Sequence, residues 1–414
     1  MAQRDVCWKE DEMGELAPTW TRSPDISVLK SLAMKYLPEG SLPVDPFFKT
    51  ESEVATLAYI RQHTSIPVPR VLTYCSSSDN ELRFEWILME KIGGIPLSDM
   101  WDEMSFDTKA SLTTEVCGYL RVLQDLQFTQ IGSLYFSSVR EQVDTRDFGD
   151  DLGAKPPNAP VNCSIGTDFV IGRVVSPWFF RDKRLFLSAD RGPFPASYQF
   201  MMAKTRMQIE RIKHLSALST DDYYSETDEV LAVEQEDVLD TCYSLEKLVP
   251  YIFPPPGGQH EAKLLYHDDL SASNIMVDPV TYRVTGIVDW ECVSIHLAWE
   301  VTEYPFFLRG IDVQEPPPPP ASGIIEPELR EIRKDWEKVC LRRLYRWTLH
   351  NDIGLSPDIM HKRKFSDCLE NIEMNWTASG HWARWVLQET VSMEENPDQK
   401  DQPQNFRLSA TLDS

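Results

Sequence analysis

Long apolar runs are missing from this chain: among its 414 residues none forms a stretch long enough to span a bilayer. No secretory apolar segment follows the start, where Met1-Ala2-Gln3-Arg4-Asp5 opens onto the charged Lys9-Glu10-Asp11-Glu12. Both absences lead to an expectation of cytoplasmic residence and of no membrane partner. A basic excess is missing too. Lysine and arginine number 41 against 65 aspartates and glutamates, a net charge of −24, which argues against a nucleic-acid partner because that needs a basic face. The acidity reads first as surface solubility and second as a preference for a cationic substrate. The eight cysteines (Cys7, Cys75, Cys117, Cys163, Cys242, Cys292, Cys340, Cys368) include no C-x-x-C pair, so free thiols are expected, with neither a disulfide framework nor a zinc site. Glycine is scarce where it would matter: only Gly14 and Gly40 precede residue 53.

What is present is concentrated between residues 267 and 291. His267-Asp268-Asp269-Leu270-Ser271-Ala272-Ser273-Asn274 has the form His-x-Asp-x-x-x-x-Asn, and Gly286-Ile287-Val288-Asp289-Trp290-Glu291 follows as a short apolar run carrying an aspartate. Phosphoryl transfer from a nucleotide uses those residue types in that order. One Asp receives or orients the proton of the acceptor hydroxyl, an Asn a few residues on reaches a magnesium ion, and a second Asp at a strand end holds the metal that bridges the phosphates. The first pattern alone is a modest signal. The downstream Asp strengthens it.

Periodicity around this stretch predicts an α+β chain. A leading helix is expected over Ser27–Leu37, and a second is announced by Thr50 and Glu53 as a capping box, running through Arg61. Arg70–Tyr74 and Arg83–Glu90 read as strands around a polar turn, and Gly93-Gly94 breaks the chain. Helices follow at Thr108–Leu126, Tyr198–Leu215 and Val238–Tyr251, then the strand Lys263–Tyr266, then helices around 326–350 and 363–389. Residues 1–24 show no clear period, 137–165 read as an irregular insert, 220–240 as an acidic solvated segment, Pro316–Pro320 as a polyproline spacer and the stretch from Glu394 as a disordered tail. The organisation expected is an N-terminal extension with its helix (1–49), a small mixed lobe ending in a glycine hinge (50–92), a large helical lobe (93–393) and the tail (394–414).

Over roughly residues 50–310 the sequence resembles the aminoglycoside phosphotransferase and choline-kinase-like superfamily, specifically its fungal branch. The likeness is carried by Thr50-Glu51-Ser52-Glu53-Val54-Ala55-Thr56-Leu57, Ile66-Pro67-Val68-Pro69, Trp86 to Gly94, Arg191-Gly192-Pro193-Phe194 and Tyr266 to Glu291. The resemblance implies a protein-kinase-like bilobal fold with a reduced N-terminal β lobe and a large, mostly helical C-terminal lobe. It also implies ATP and Mg²⁺ as cofactors and a small molecule bearing a hydroxyl as acceptor. Carried over position by position, it makes Asp269 the catalytic Asp, Asn274 and Asp289 the magnesium ligands, and His267 a packing and hydrogen-bonding member of the catalytic loop. Glu53 matches the helix carboxylate that pairs with a strand lysine, while Glu90 and Ile92 lie where the hinge backbone would meet adenine. Asp268 stands where many relatives have Gly, and an extra carboxylate there either points away or helps hold a cationic group.

One part of such a site is absent from the pattern. A kinase-like lobe brings a Gly-rich hairpin over the phosphates and a strand lysine to the helix carboxylate. Before Glu53 there is no alternating strand bearing a basic residue, and Lys49 stands too close to Glu53 to reach it from another strand. The first strands of the lobe read as absent or shortened. Two readings stay open: an active small-molecule phosphotransferase, or a non-catalytic kinase-like binding protein or truncated member of the same family. The oligomeric state has no signal in the sequence.

Overall fold

The chain enters as a hairpin in which β1 (Val6–Glu10) pairs antiparallel with β2 (Leu16–Trp20), Val6 opposite Trp20. This computed structural model describes residues 6–10, 16–20, 47–77, 80–82, 84–139, 166–180, 184, 187–214, 234–253, 255, 261–301, 304–316, 327–349 and 357–395. The hairpin corrects the reading of residues 1–24 as lacking a period. Pro18 inside β2 and the adjacent charges Lys9 and Glu10 in β1 mask the alternation a strand normally shows. The helix expected over Ser27–Leu37 lies outside the described residues, as do most of the insert, most of the acidic segment, the polyproline run from Pro317 and the tail from 396.

Helix α1 (Phe47–His63) starts one turn earlier than the capping-box pattern predicts. Thr50 is therefore interior to the helix and not its cap, and it is fully buried. The reason is tertiary. Phe48 is buried with Tyr135 and Val175, and Cys292 packs against that group, so apolar burial carries the helix upstream of the local signal.

β3 (Val71–Cys75) and β4 (Trp86–Met89) then pair antiparallel, Cys75 opposite Trp86. The short β5 (Ile95–Pro96) and helix α2 (Phe106–Asp125) follow, with the Ser105 hydroxyl accepting the Thr108 N–H at 3.2 Å as the helix cap. β6 (Ser133–Phe136) pairs with β7 (Phe169–Gly172). After the one-turn α3 (Pro177–Phe180) come α4 (Ser197–Lys213) and α5 (Gln235–Ile252).

The motif region holds four short strands: β8 (Lys263–Tyr266), β9 (Ile275–Val277), β10 (Val284–Ile287) and β11 (Ser294–Leu297). β8 pairs with β11, while β9 sits between β10 and β5 in a three-stranded sheet. The chain closes with α6 (Pro327–Leu349), α7 (Pro357–Glu370) and α8 (Ile372–Glu395). The single helix expected around 363–389 is thus two helices broken near Asn371, and Asn375 inside α8 departs from helical geometry at φ −145°. A hydrophobic period carries across such a break, which is why the sequence hides it.

The class is α+β, as expected: small antiparallel sheets and long helices. Two apolar cores hold it together. One joins Leu57 and Ile60 of α1, Tyr74 of β3, Ile87 of β4 and Val116 of α2 to Leu265, Ile275, Ile287 and Trp290 of the motif region. The other gathers Phe200 and Met207 of α4, Leu245 and Leu248 of α5, Phe365 of α7 and Ala383 of α8. Among the described residues no helix is long and apolar enough to cross a membrane.

Candidate active site

The loop after β8 turns back on itself through its own backbone. Ser271 N–H donates to Asp269 O at 2.8 Å and Asn274 N–H to Ser271 O at 3.2 Å. From outside, Ser98 N–H holds Ala272 O at 3.0 Å. The Asn274 side-chain amide donates to the Asp269 backbone O at 2.9 Å and to Asp269 Oδ2 at 3.0 Å. With its nitrogen committed there, Asn274 has its carbonyl Oδ1 left to offer a cation.

The β9–β10 hairpin delivers Asp289 to the same place. Val288 N–H donates to Asn274 O at 2.9 Å, and Ile287 N–H to Pro67 O at 2.8 Å. On the other side Val288 O accepts from His267 Nε2 at 3.2 Å. Trp290 is buried, donates its indole N–H to Ile287 O at 2.9 Å and stands edge-on to the His267 ring with centroids 4.8 Å apart. Asp289 lies between these fixed neighbours at φ +62°, in the left-handed region. Asp tolerates that region better than most residues, and such backbone is found where a site must aim a side chain. His267 is what ties the loop after β8 to the strand end. Burial pushes its pKa down to about 4, against the pull of the Val288 carbonyl, so it is neutral at pH 7 and orients its neighbours.

From above, α1 presents Lys49 and Glu53, four residues apart and so on one face. Lys49 forms an ion pair with Glu291. Burial, the Glu291 carboxylate and Asp289 push the Glu53 carboxyl up to about 8, with Lys49 opposing. Asp289 is likewise raised, by burial and then by Glu291 and Asp269, with Lys49 again opposing. Burial works against the Lys49 charge, but Glu291 more than offsets it and the ammonium is held above its ordinary value. The electrostatic sum is a carboxylate group short of positive charge. Among the described residues no three His, Cys, Asp or Glu side chains are arranged to hold a metal by themselves.

Asp268 is half-buried; burial raises its carboxyl and the nearby His296 opposes the rise. His296 Nδ1 lies 3.4 Å from Glu300 Oε2. At the hinge, Gly94 has φ +100°, and a Cβ there would fall 2.5 Å from Val277 O, so the chain can lie on β9 only as glycine. The Ile92 side chain covers Gly286 of β10, where an added Cβ would meet Ile92 Cγ2 at 2.6 Å. Glu90 is exposed and its N–H is committed to Arg70 O at 2.8 Å.

The structure therefore brings together Asp269, Asn274, Asp289, His267 and Glu53, and lays Ile92 on the hairpin that carries Asp289. The structure also brings Lys49 and Glu291 to this place: in the sequence Lys49 reads as too close to Glu53 to reach it from another strand, and Glu291 carries no role. Their only signals are the i, i+4 spacing of Lys49 to Glu53 and the alternation of Glu291 with Asp289.

A sequence profile of a phosphotransferase enzyme family matches residues 43–300. A subtelomeric hrmA-associated cluster protein of Aspergillus fumigatus is 28% identical over 290 residues, 63% of this chain and 53% of that protein. Altered inheritance of mitochondria protein 9, mitochondrial, of Meyerozyma guilliermondii is 28% identical over 277 residues, 63% of this chain and 43% of that protein. The chain thus spans about half the length of these relatives. Among solved structures, a thermostable mutant of aminoglycoside phosphotransferase APH(4)-Ia in complex with AMP-PNP and hygromycin B aligns over 89% of this chain and 98% of its own, with 13% identity and a TM-score of 0.40. Aminoglycoside phosphotransferase APH(3'')-Id from Streptomyces rimosus, in complex with ADP and streptomycin, aligns over 80% of this chain and 85% of its own, with 15% identity and a TM-score of 0.35.

Proposed function

The chain belongs to the phosphotransferase enzyme family, and from that premise we propose that it transfers the terminal phosphoryl group of ATP to the hydroxyl of a small molecule. The observation that carries the reading is the Asp269–Asn274 pair, whose side-chain hydrogen bond at 3.0 Å holds the loop while Asp289 is set beside it in left-handed backbone. Asp269 is exposed at the loop surface and is the group placed to take the proton of the acceptor hydroxyl as its oxygen attacks phosphorus and ADP leaves.

Mg²⁺ fits the donors present. Asn274 Oδ1 and the exposed Asp289 carboxylate are both oxygen ligands, and two protein oxygens suit an ion that keeps waters and phosphate oxygens in its shell. Bound there, the ion would supply neutralisation of charge on the phosphates. Partial burial and the like charges of Glu291 and Asp269 raise Asp289, and a cation bound there would oppose that rise. The His267 hydrogen bond to Val288 O keeps Asp289 aimed. Asp268, close to Asp269 and facing His296, favours an acceptor that also carries a cationic group, such as an amino alcohol.

A non-catalytic binding role is the second reading, and one observation favours it. Between residues 1 and 52 the sequence has glycine only at Gly14 and Gly40, fewer than a Gly-rich hairpin that covers phosphates uses. Turnover decides between them. The purified chain with Mg·ATP and a panel of amino alcohols and aminoglycosides is expected to release ADP in an acceptor-dependent manner. Asp269→Ala should lower kcat by about 10²–10⁴-fold while leaving ATP affinity within a few-fold. If nucleotide binds and no acceptor in the panel raises ADP release above that of Asp269→Ala, the binding role takes its place.

A further inference from the structure

We propose that Lys49 is the cation that meets the nucleotide phosphates in this chain, delivered by helix α1 itself instead of by a neighbouring strand. The inference rests on the nucleotide reading above and adds to it the residue that grips the phosphate chain. Three observations carry it. Lys49 forms an ion pair with Glu291, two residues beyond the proposed metal ligand Asp289, so its ammonium lies against the segment that carries Asp289 and within electrostatic reach of it. Glu53 follows one turn later on the same helical face and lies within electrostatic reach of both Lys49 and Asp289. The preceding residue, Phe48, is buried against Tyr135 and Val175 with Cys292 packed on the group, which fastens the first turn of α1 to the segment that carries Glu291.

A lysine reaching the phosphates from a separate strand needs a carboxylate on the facing helix to hold it. Here the lysine and that carboxylate share one helix. Glu291 is then the resting partner of Lys49. When Mg·ATP enters, a phosphate oxygen would take the place of the Glu291 carboxylate on the Lys49 ammonium, and Glu53, whose carboxyl burial pushes up to about 8, adds little negative charge to compete for it one turn away. Glu291 is a positioning residue in this scheme; Lys49 is the one that touches the ligand. Among the described residues Lys49 is the basic group acting electrostatically on Glu53 and Asp289.

Calorimetric titration of the full chain with Mg·ATP, Mg·ADP and adenosine tests this. Lys49→Gln should weaken both phosphate-bearing ligands by about 10- to 100-fold and leave adenosine unchanged, and Lys49→Arg should restore most of the loss. Glu291→Gln, which removes the competing partner, should bind Mg·ATP at least as tightly as the parent chain. A measurement on the unaltered chain covers the case in which Lys49→Gln does not fold. Amine acylation read by mass spectrometry should show Lys49 protected by Mg·ATP and not by adenosine. If the parent chain binds Mg·ATP while Lys49→Gln binds it equally well, or while acylation of Lys49 is indifferent to it, Lys49 is only the structural partner of Glu291 and the proposal is overturned alone. If the parent chain binds no Mg·ATP, this proposal and the nucleotide reading fall together.

Discussion

His267 is neutral at pH 7 because burial holds its pKa near 4, and its work at the site is to keep Val288 O, and through it Asp289, in place. A consequence for stability follows from the sign of that shift. The folded pKa lies below the ordinary histidine value of 6.5, so the unfolded chain takes the proton more readily. The stability tied to His267 is therefore complete above about pH 6.5 and is lost as pH falls toward 4, amounting to roughly 3 kcal/mol across that window. Urea unfolding of the parent chain and of His267→Gln at pH 7.5, 6 and 5 measures it. The gap in stability between the two should shrink on acidification; a gap that stays constant would mean His267 titrates normally. Glu53 shows the opposite sign. Its folded carboxyl, raised to about 8 against the opposing charge of Lys49, contributes stability that is complete below its ordinary range and declines as pH rises through neutrality.

Helix α1 is the element on which the site turns. Its first turn exists because Phe48 is buried, and that same turn sets Lys49 against Glu291. Phe48→Ala should destabilise the chain by about 3–4 kcal/mol through the cavity it leaves and should weaken Mg·ATP binding as well. A variant that loses stability in denaturant titration but keeps full affinity would separate the turn from the site. This element also shows where sequence reading succeeds and where it stops. The helices α2, α4 and α5 were legible because each carries its own period over several turns, and the strands β3, β4 and β8 because they are short apolar runs bounded by turn signals. Thr50 and Glu53 satisfied a capping pattern, but the start of α1 was decided by Phe48 reaching Tyr135 and Val175, contacts far apart in the chain. β1 and β2 escaped for the converse reason: strands of five residues with a proline and adjacent charges carry almost no period of their own.

At the scale of the molecule, the apolar core that supports the catalytic loop is the one that supports α1 and the β3–β4 hairpin, whereas α4, α5, α7 and α8 hold a second core. The convergence of Asp269, Asn274 and Asp289 was legible in the sequence because they fall within a few tens of residues and follow a recognisable order. The pairing of Lys49 with Glu291 was not, because only the fold brings the two together from opposite ends of the matched region. The net charge of −24 adds a condition: a polyanionic ligand is attracted only where local cations outweigh the acidic surface, and Mg²⁺ with Lys49 would supply them. Thermal unfolding of the full chain with millimolar ATP, with and without Mg²⁺, tests the central claim most directly. The account predicts that ATP raises Tm by a few degrees when Mg²⁺ is present, since ligand at about 100-fold above Kd adds about 2.7 kcal/mol, and that Asp289→Asn removes the Mg²⁺-dependent part. An unchanged Tm at millimolar Mg·ATP in the parent chain would contradict it.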